Sequence, residues 1–160
     1  MTRKLVFLVV LLAVALAVPS LASAQKPNLS GKWIQDMEKS DQPQGGGGGG
    51  RGPAGPQEIT ITQTAADLTI ERTAGQNVVK MVYKLDGSPS TNTMQGRGGA
   101  TEQVSKTVWD GNNIVTKYSQ TMGENTVEVT VTYSLNADGT LKQVTARGTN
   151  PPRTVVFKKG

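Results

Sequence analysis

After residue 28 no stretch of this chain keeps a helical period for longer than a turn or two. Short segments rich in Val, Thr, Ile and Tyr follow one another instead, each closed by Gly, Asn or Asp. That pattern commits the chain to antiparallel β-structure. Strands are expected at about Leu29 to Gln35, Gln57 to Gln63, Asp67 to Thr73, Asn77 to Leu85, Pro89 to Met94, Thr101 to Trp109, Ile114 to Met122, Asn125 to Leu135, Thr140 to Gly148 and Arg153 to Lys159. Asp86-Gly87, Asp110-Gly111 and Asp138-Gly139 read as tight hairpin turns, because both residue types accept positive φ. Short connections make successive strands neighbours in a meander. With ten strands the first and last run antiparallel and the sheet can close on itself, which removes its exposed edges. The expected fold is therefore an all-β, antiparallel up-and-down barrel of about ten strands. The count rests on Pro89 to Met94; were that stretch a loop, nine strands would remain.

The N-terminus reads differently. Arg3 and Lys4 precede an apolar run from Leu5 to Val18, which Pro19 and Ser20 break ahead of Ala22-Ser23-Ala24. A basic start, a short apolar run and a small-residue A-x-A site make a signal peptide. The run is 14 residues long, and a helix crossing the bilayer needs about 20. The expectation is a cleaved signal over 1-24 and a single mature domain over 25-160, exported to the periplasm or beyond the cell and free of a membrane span. With no Cys in the chain there is neither a lipidated N-terminus nor a disulfide framework.

One connection is long. Residues 36-56 hold six consecutive glycines, Gly45 to Gly50, followed by Arg51-Gly52-Pro53-Ala54-Gly55-Pro56. Glycine at that density buries no side chain and loses the most entropy on ordering, so a flexible loop is expected. It is not a phosphate cradle, because no Gly-Lys-Ser/Thr follows and no helix opens there. A second Gly-rich stretch, Gly96-Arg97-Gly98-Gly99, lies between the fifth and sixth strands. The net charge of +5 is spread along the chain without a cluster, which suits solubility and not nucleic-acid binding.

The chain has neither His nor Cys, so the usual general base, soft-metal sites and thiol or Ser-His catalysis are absent. Carboxylates remain. Period-2 alternation turns Glu58, Glu71 and Glu128 away from the core, and Asp86, Asp110 and Asp138 belong to turns. No pair converges on a cleft as an acid and base would, with the facing of Glu102 left open. Asp36, Glu38 and Asp41 cluster before the long loop, where a solvated strand end competes with a hard-cation site. The expectation is no enzyme, no metal and no cofactor.

Interior faces point instead to binding. Val79, Met81, Tyr83 and Leu85 share one face, as do Val127, Val129, Val131, Tyr133 and Leu135. Other strands carry polar groups on the buried side: Ile114 travels with Thr116, Tyr118 and Gln120, and Leu141 with Gln143, Thr145 and Arg147. The strand holding Trp109 is open to two readings, with either Trp109, Thr107 and Ser105 inward or Val104 and Val108. Buried polar groups need partners, and a wet interior with a few fixed polar groups is what small-ligand barrels show. Candidate lining residues are Tyr83, Tyr118, Gln120, Tyr133, Gln143 and Arg147. In a ten-strand meander the first and fifth connections share an end, which would bring Arg51 and Arg97 to one mouth and favour anionic ligands.

Gly31-Lys32-Trp33 on the first strand resembles the G-x-W start of lipocalins. The wider pattern, from Leu29-Ser30-Gly31-Lys32-Trp33 through Leu85-Asp86-Gly87 to Ser134-Leu135-Asn136-Ala137-Asp138-Gly139, resembles small secreted bacterial lipocalin-like proteins of unassigned function. The resemblance implies that Trp33 closes the base of the barrel under a late cation, supplied by Arg147 or Arg153. It also implies a carrier or sensor of a small, partly apolar ligand. The alternative is an envelope structural or interaction module that works through its outer surface.

Overall fold

A computed structural model describes residues 25-41, 55-74, 77-96, 99-122 and 124-160. The ten strands are β1 (Gly31–Gln35), β2 (Glu58–Gln63), β3 (Asp67–Ala74), β4 (Asn77–Lys84), β5 (Asp86–Gly96), β6 (Gly99–Asp110), β7 (Asn113–Met122), β8 (Asn125–Leu135), β9 (Leu141–Arg147) and β10 (Asn150–Lys159). They form one antiparallel sheet in the order β4-β3-β2-β1-β10-β9-β8-β7-β6-β5. The segment from Pro89 to Met94 is thus a true strand, and the count is ten. The candidate signal peptide and the six-glycine tract lie outside the described residues.

Closure between first and last strands follows from their antiparallel directions. Trp33 pairs with Lys159 and Gln35 with Phe157, and the contact continues beyond β1, where the Asp36 N–H donates to the Val156 carbonyl at 2.8 Å. The discontinuity lies elsewhere, between β4 and β5, which are the two ends of the hydrogen-bonded order. Here side chains replace the ladder. The Val82 N–H donates to Asn92 Oδ1 at 2.7 Å, Asn92 Nδ2 donates to the Val82 carbonyl at 3.0 Å, and the Lys84 N–H donates to Ser90 Oγ at 2.8 Å. The Asn92 amide therefore gives Val82 what a neighbouring residue gives in a sheet, one acceptor and one donor.

This seam corrects the reading of Asp86-Gly87 as a hairpin turn. Gly87 does take a positive φ, +83°, but it lies in β5 beside a register shift between Asp86 and Pro89. The Asp86 carboxylate accepts from the Ser88 N–H and hydroxyl. The pair bends the chain at a corner between strands that do not ladder. Asp110-Gly111 and Asp138-Gly139 do close hairpins, with φ of +58° at Gly111 and +78° at Gly139.

The apolar core gathers at one end. Trp33, Phe157, Leu29, Ile59, Ile61, Leu68, Ile70, Ile114 and Leu141 are all but fully buried, and most come from the strand ends that meet at the even-numbered connections. The Trp33 indole Nε1 donates to the Leu29 carbonyl at 2.9 Å, so the ring is buried without an orphaned donor. On β6 Thr107 and Ser105 are buried and Trp109 packs against the core, while Val104 and Val108 are 56% and 44% exposed; this decides the strand's facing.

Candidate functional site

Alternation on each strand sets what the barrel interior contains. On β3, Leu68 and Ile70 point inward, and Arg72 continues that face. On β7 the inward series is Ile114, Thr116, Tyr118 and Gln120, and on β9 it is Leu141, Gln143, Thr145 and Arg147. Their apolar starts enter the core, and their polar ends line a cavity of about 530 Å³. Tyr83, Tyr118, Gln120, Tyr133, Gln143 and Arg147 all line it, together with Arg72, Met81, Met94, Thr101, Glu102 and Val131. Thr101, Thr121, Met94 and Arg147 lie near strand ends that meet at odd-numbered connections. The cavity therefore sits at the end opposite the packed core, on the side of the β1–β2 and β5–β6 connections. Arg51 and Arg97 themselves lie outside the described residues.

The charge of the lining is uneven. The lining holds two arginines, Arg72 and Arg147, and one carboxylate, Glu102, and among the described residues all ion pairs are made by lysines. Arg72 Nε is buried with no hydrogen-bond partner, as is Arg153 Nε on β10. A buried donor without a partner is costly unless something else answers it. The amide oxygens of Gln120 and Gln143 are likewise buried and unpartnered, although Gln143 Nε2 donates to Thr145 Oγ1 at 3.3 Å.

Tyr83 and Tyr133 are held neutral. Burial pushes the Tyr133 hydroxyl up to about 12, against a smaller lowering by Arg72. Burial raises Tyr83 further still, with Tyr133 and Tyr118 adding to the effect. Tyr83 donates its hydroxyl to the Met81 sulfur at 3.1 Å, a weak acceptor. At neutral pH these phenols are donors, not anions.

Trp33 is buried in the core, and the cation over it is neither Arg147 nor Arg153. Lys159 supplies it, 5.2 Å from the ring centroid, because β10 pairs with β1 through its last residues. A second lysine, Lys26, stands 5.0 Å over Trp109 and donates to the Gly111 carbonyl. Arg72 was missed in the sequence, although the alternation that turned Glu71 outward turns its neighbour inward. The carboxylates before the long loop are structural: Asp36 accepts from the N–H groups of Glu38 and Lys39, and Asp41 from that of Thr154. Among the described residues no acidic cluster is arranged to hold a metal ion, and no helix is long and apolar enough to cross a membrane.

Comparison with known proteins gives no matching family model and no matching curated protein. Solved structures do match. A protein titled REP1-NXSQ fatty acid transporter is similar over 82% of this chain and 96% of its own, with a TM-score of 0.59 and 14% identity. A tyrosine-to-phenylalanine mutant of that transporter is similar over 82% and 98%, with a TM-score of 0.58 and 15% identity. At such identity the likeness carries the fold: a nearly closed ten-stranded barrel.

Proposed function

We propose that this chain is an exported barrel that carries or senses a small, partly apolar, anionic molecule. The observation that carries the reading is the pair Arg72 and Arg147 in a cavity whose lining has one carboxylate. Met81, Met94, Val131 and the faces of three tyrosines offer the apolar part. The similar barrel named above is titled a fatty acid transporter, which supports a carboxylic acid as the class of ligand. The reading includes cleavage after Ala24, release into the periplasm or medium, no cofactor and no catalysis, in keeping with the absence of His and Cys.

A rival reading is an envelope interaction module. It is favoured by the valines exposed on the outer faces of β4 and β6, Val78, Val82, Val104 and Val108. Native mass spectrometry of the protein purified from its own host separates the two. A retained anionic small molecule is expected; a ligand-free protein recovered with a second protein bound favours the rival.

A further inference from the structure

Resting on that reading, we infer that the ligand is a hydroxylated carboxylate, whose body carries hydrogen-bond donors beyond its anionic group. The cavity wall is mostly polar. Its apolar surface comes from Met81, Met94, Val131 and the faces of three tyrosines, which leave much of an alkyl chain against polar groups. Methylene groups gain from leaving water only where they meet apolar surface. Polar wall atoms that a plain chain displaced from water would lose their partners, which disfavours that ligand.

The wall also shows which partners it wants. Arg72, Arg147 and the neutral tyrosine hydroxyls are donors and suit an anion. Gln120 Oε1 and Gln143 Oε1 are acceptors, buried and unanswered. They stand at two depths: Gln143 two residues from the packed Leu141, and Gln120 near the cavity-side end of β7. A carboxylate cannot answer either oxygen, because it donates nothing at neutral pH. A hydroxyl can donate to a glutamine oxygen and accept from a tyrosine at once. Sites built to hydrogen-bond a hydroxyl reject the analogue lacking it, since the site's own groups are left unpaired. A hydroxyl on the ligand satisfies whichever of the two oxygens lies at its depth, and no protein group reaches either.

The test uses acids of equal charge and chain length: decanoate, 3-hydroxydecanoate and 10-hydroxydecanoate, titrated calorimetrically into the mature protein. At least one hydroxy acid is expected to bind roughly tenfold tighter than decanoate. Gln120→Leu should abolish the preference for the 3-hydroxy acid over decanoate, and Gln143→Leu that for the 10-hydroxy acid over decanoate. Should either variant fail to fold, the native protein's ranking of the three acids decides alone. Equal affinities overturn this inference and leave the anion-carrier reading standing; no binding of any of the three overturns both.

Discussion

Tyr133 is the residue whose environment makes the sharpest claim. Its hydroxyl titrates near 12 in the folded protein against 10.0 for an unburied phenol. Between those values the unfolded chain has lost the proton that the folded chain keeps, so stability is full below pH 10 and falls as pH rises toward 12. Two units correspond to roughly 2 to 3 kcal/mol. Tyr133→Phe should flatten the decline in urea midpoint over pH 10 to 12 relative to the native protein; parallel profiles would refute the burial argument. Arg72 makes the opposite kind of claim, because a guanidinium whose Nε is left without a protein partner does not help the empty barrel. Arg72→Met is expected to leave the stability of ligand-free protein unchanged or raise it by about 1 kcal/mol. A loss above about 1 kcal/mol on thermal unfolding would mean that Arg72 serves the fold.

Among the elements, the seam between β4 and β5 is where the barrel is weakest by construction. Two side chains, Asn92 and Ser90, take over three backbone groups that the ladder leaves open. Asn92→Leu keeps the volume and strands the Val82 N–H and carbonyl, at a cost of about 2 kcal/mol. Amide exchange at Val82 should then accelerate while amides of the β7–β8 pair keep their protection; uniform acceleration would show that the seam is not a separate unit. Why the sequence read this region poorly is physical. Strand length, facing and hairpin turns are local, so the alternation through Val127, Val129, Val131, Tyr133 and Leu135 and the turn at Asp138-Gly139 were legible. Whether a turn joins paired strands depends on what lies across it, and Asp86-Gly87 looks the same at a hairpin and at an unpaired corner. The register of β10 on β1 is equally non-local, which is why Lys159 and not an arginine covers Trp33.

At the scale of the molecule the barrel is graded, with large apolar side chains packed at the even-numbered connections and a polar, net cationic cavity toward the odd-numbered ones. Much of that grading was legible as polar residues appended to apolar strands, which is how Tyr118, Gln120, Gln143 and Arg147 were found. Arg72 is harder to read, because a long cationic side chain on a strand's inward face looks the same in sequence whether it stays in a cavity or reaches out to solvent. Phe157→Ala, at the packed end, is expected to cost about 3 to 5 kcal/mol by denaturant unfolding without changing ligand preference. Export is checked separately: mass spectrometry of the secreted protein should begin at Gln25, and material retaining residues 1-24 in membranes would contradict it. The claim that the cavity holds an anion is tested most directly by titrating anilinonaphthalene sulfonate, an anionic fluorescent amphiphile, into the native protein and the Arg72→Gln, Arg147→Gln double variant at low and high salt. The account predicts binding that the double variant weakens about tenfold, with a much shallower dependence on salt. Equal affinity and equal salt dependence in both proteins would contradict it.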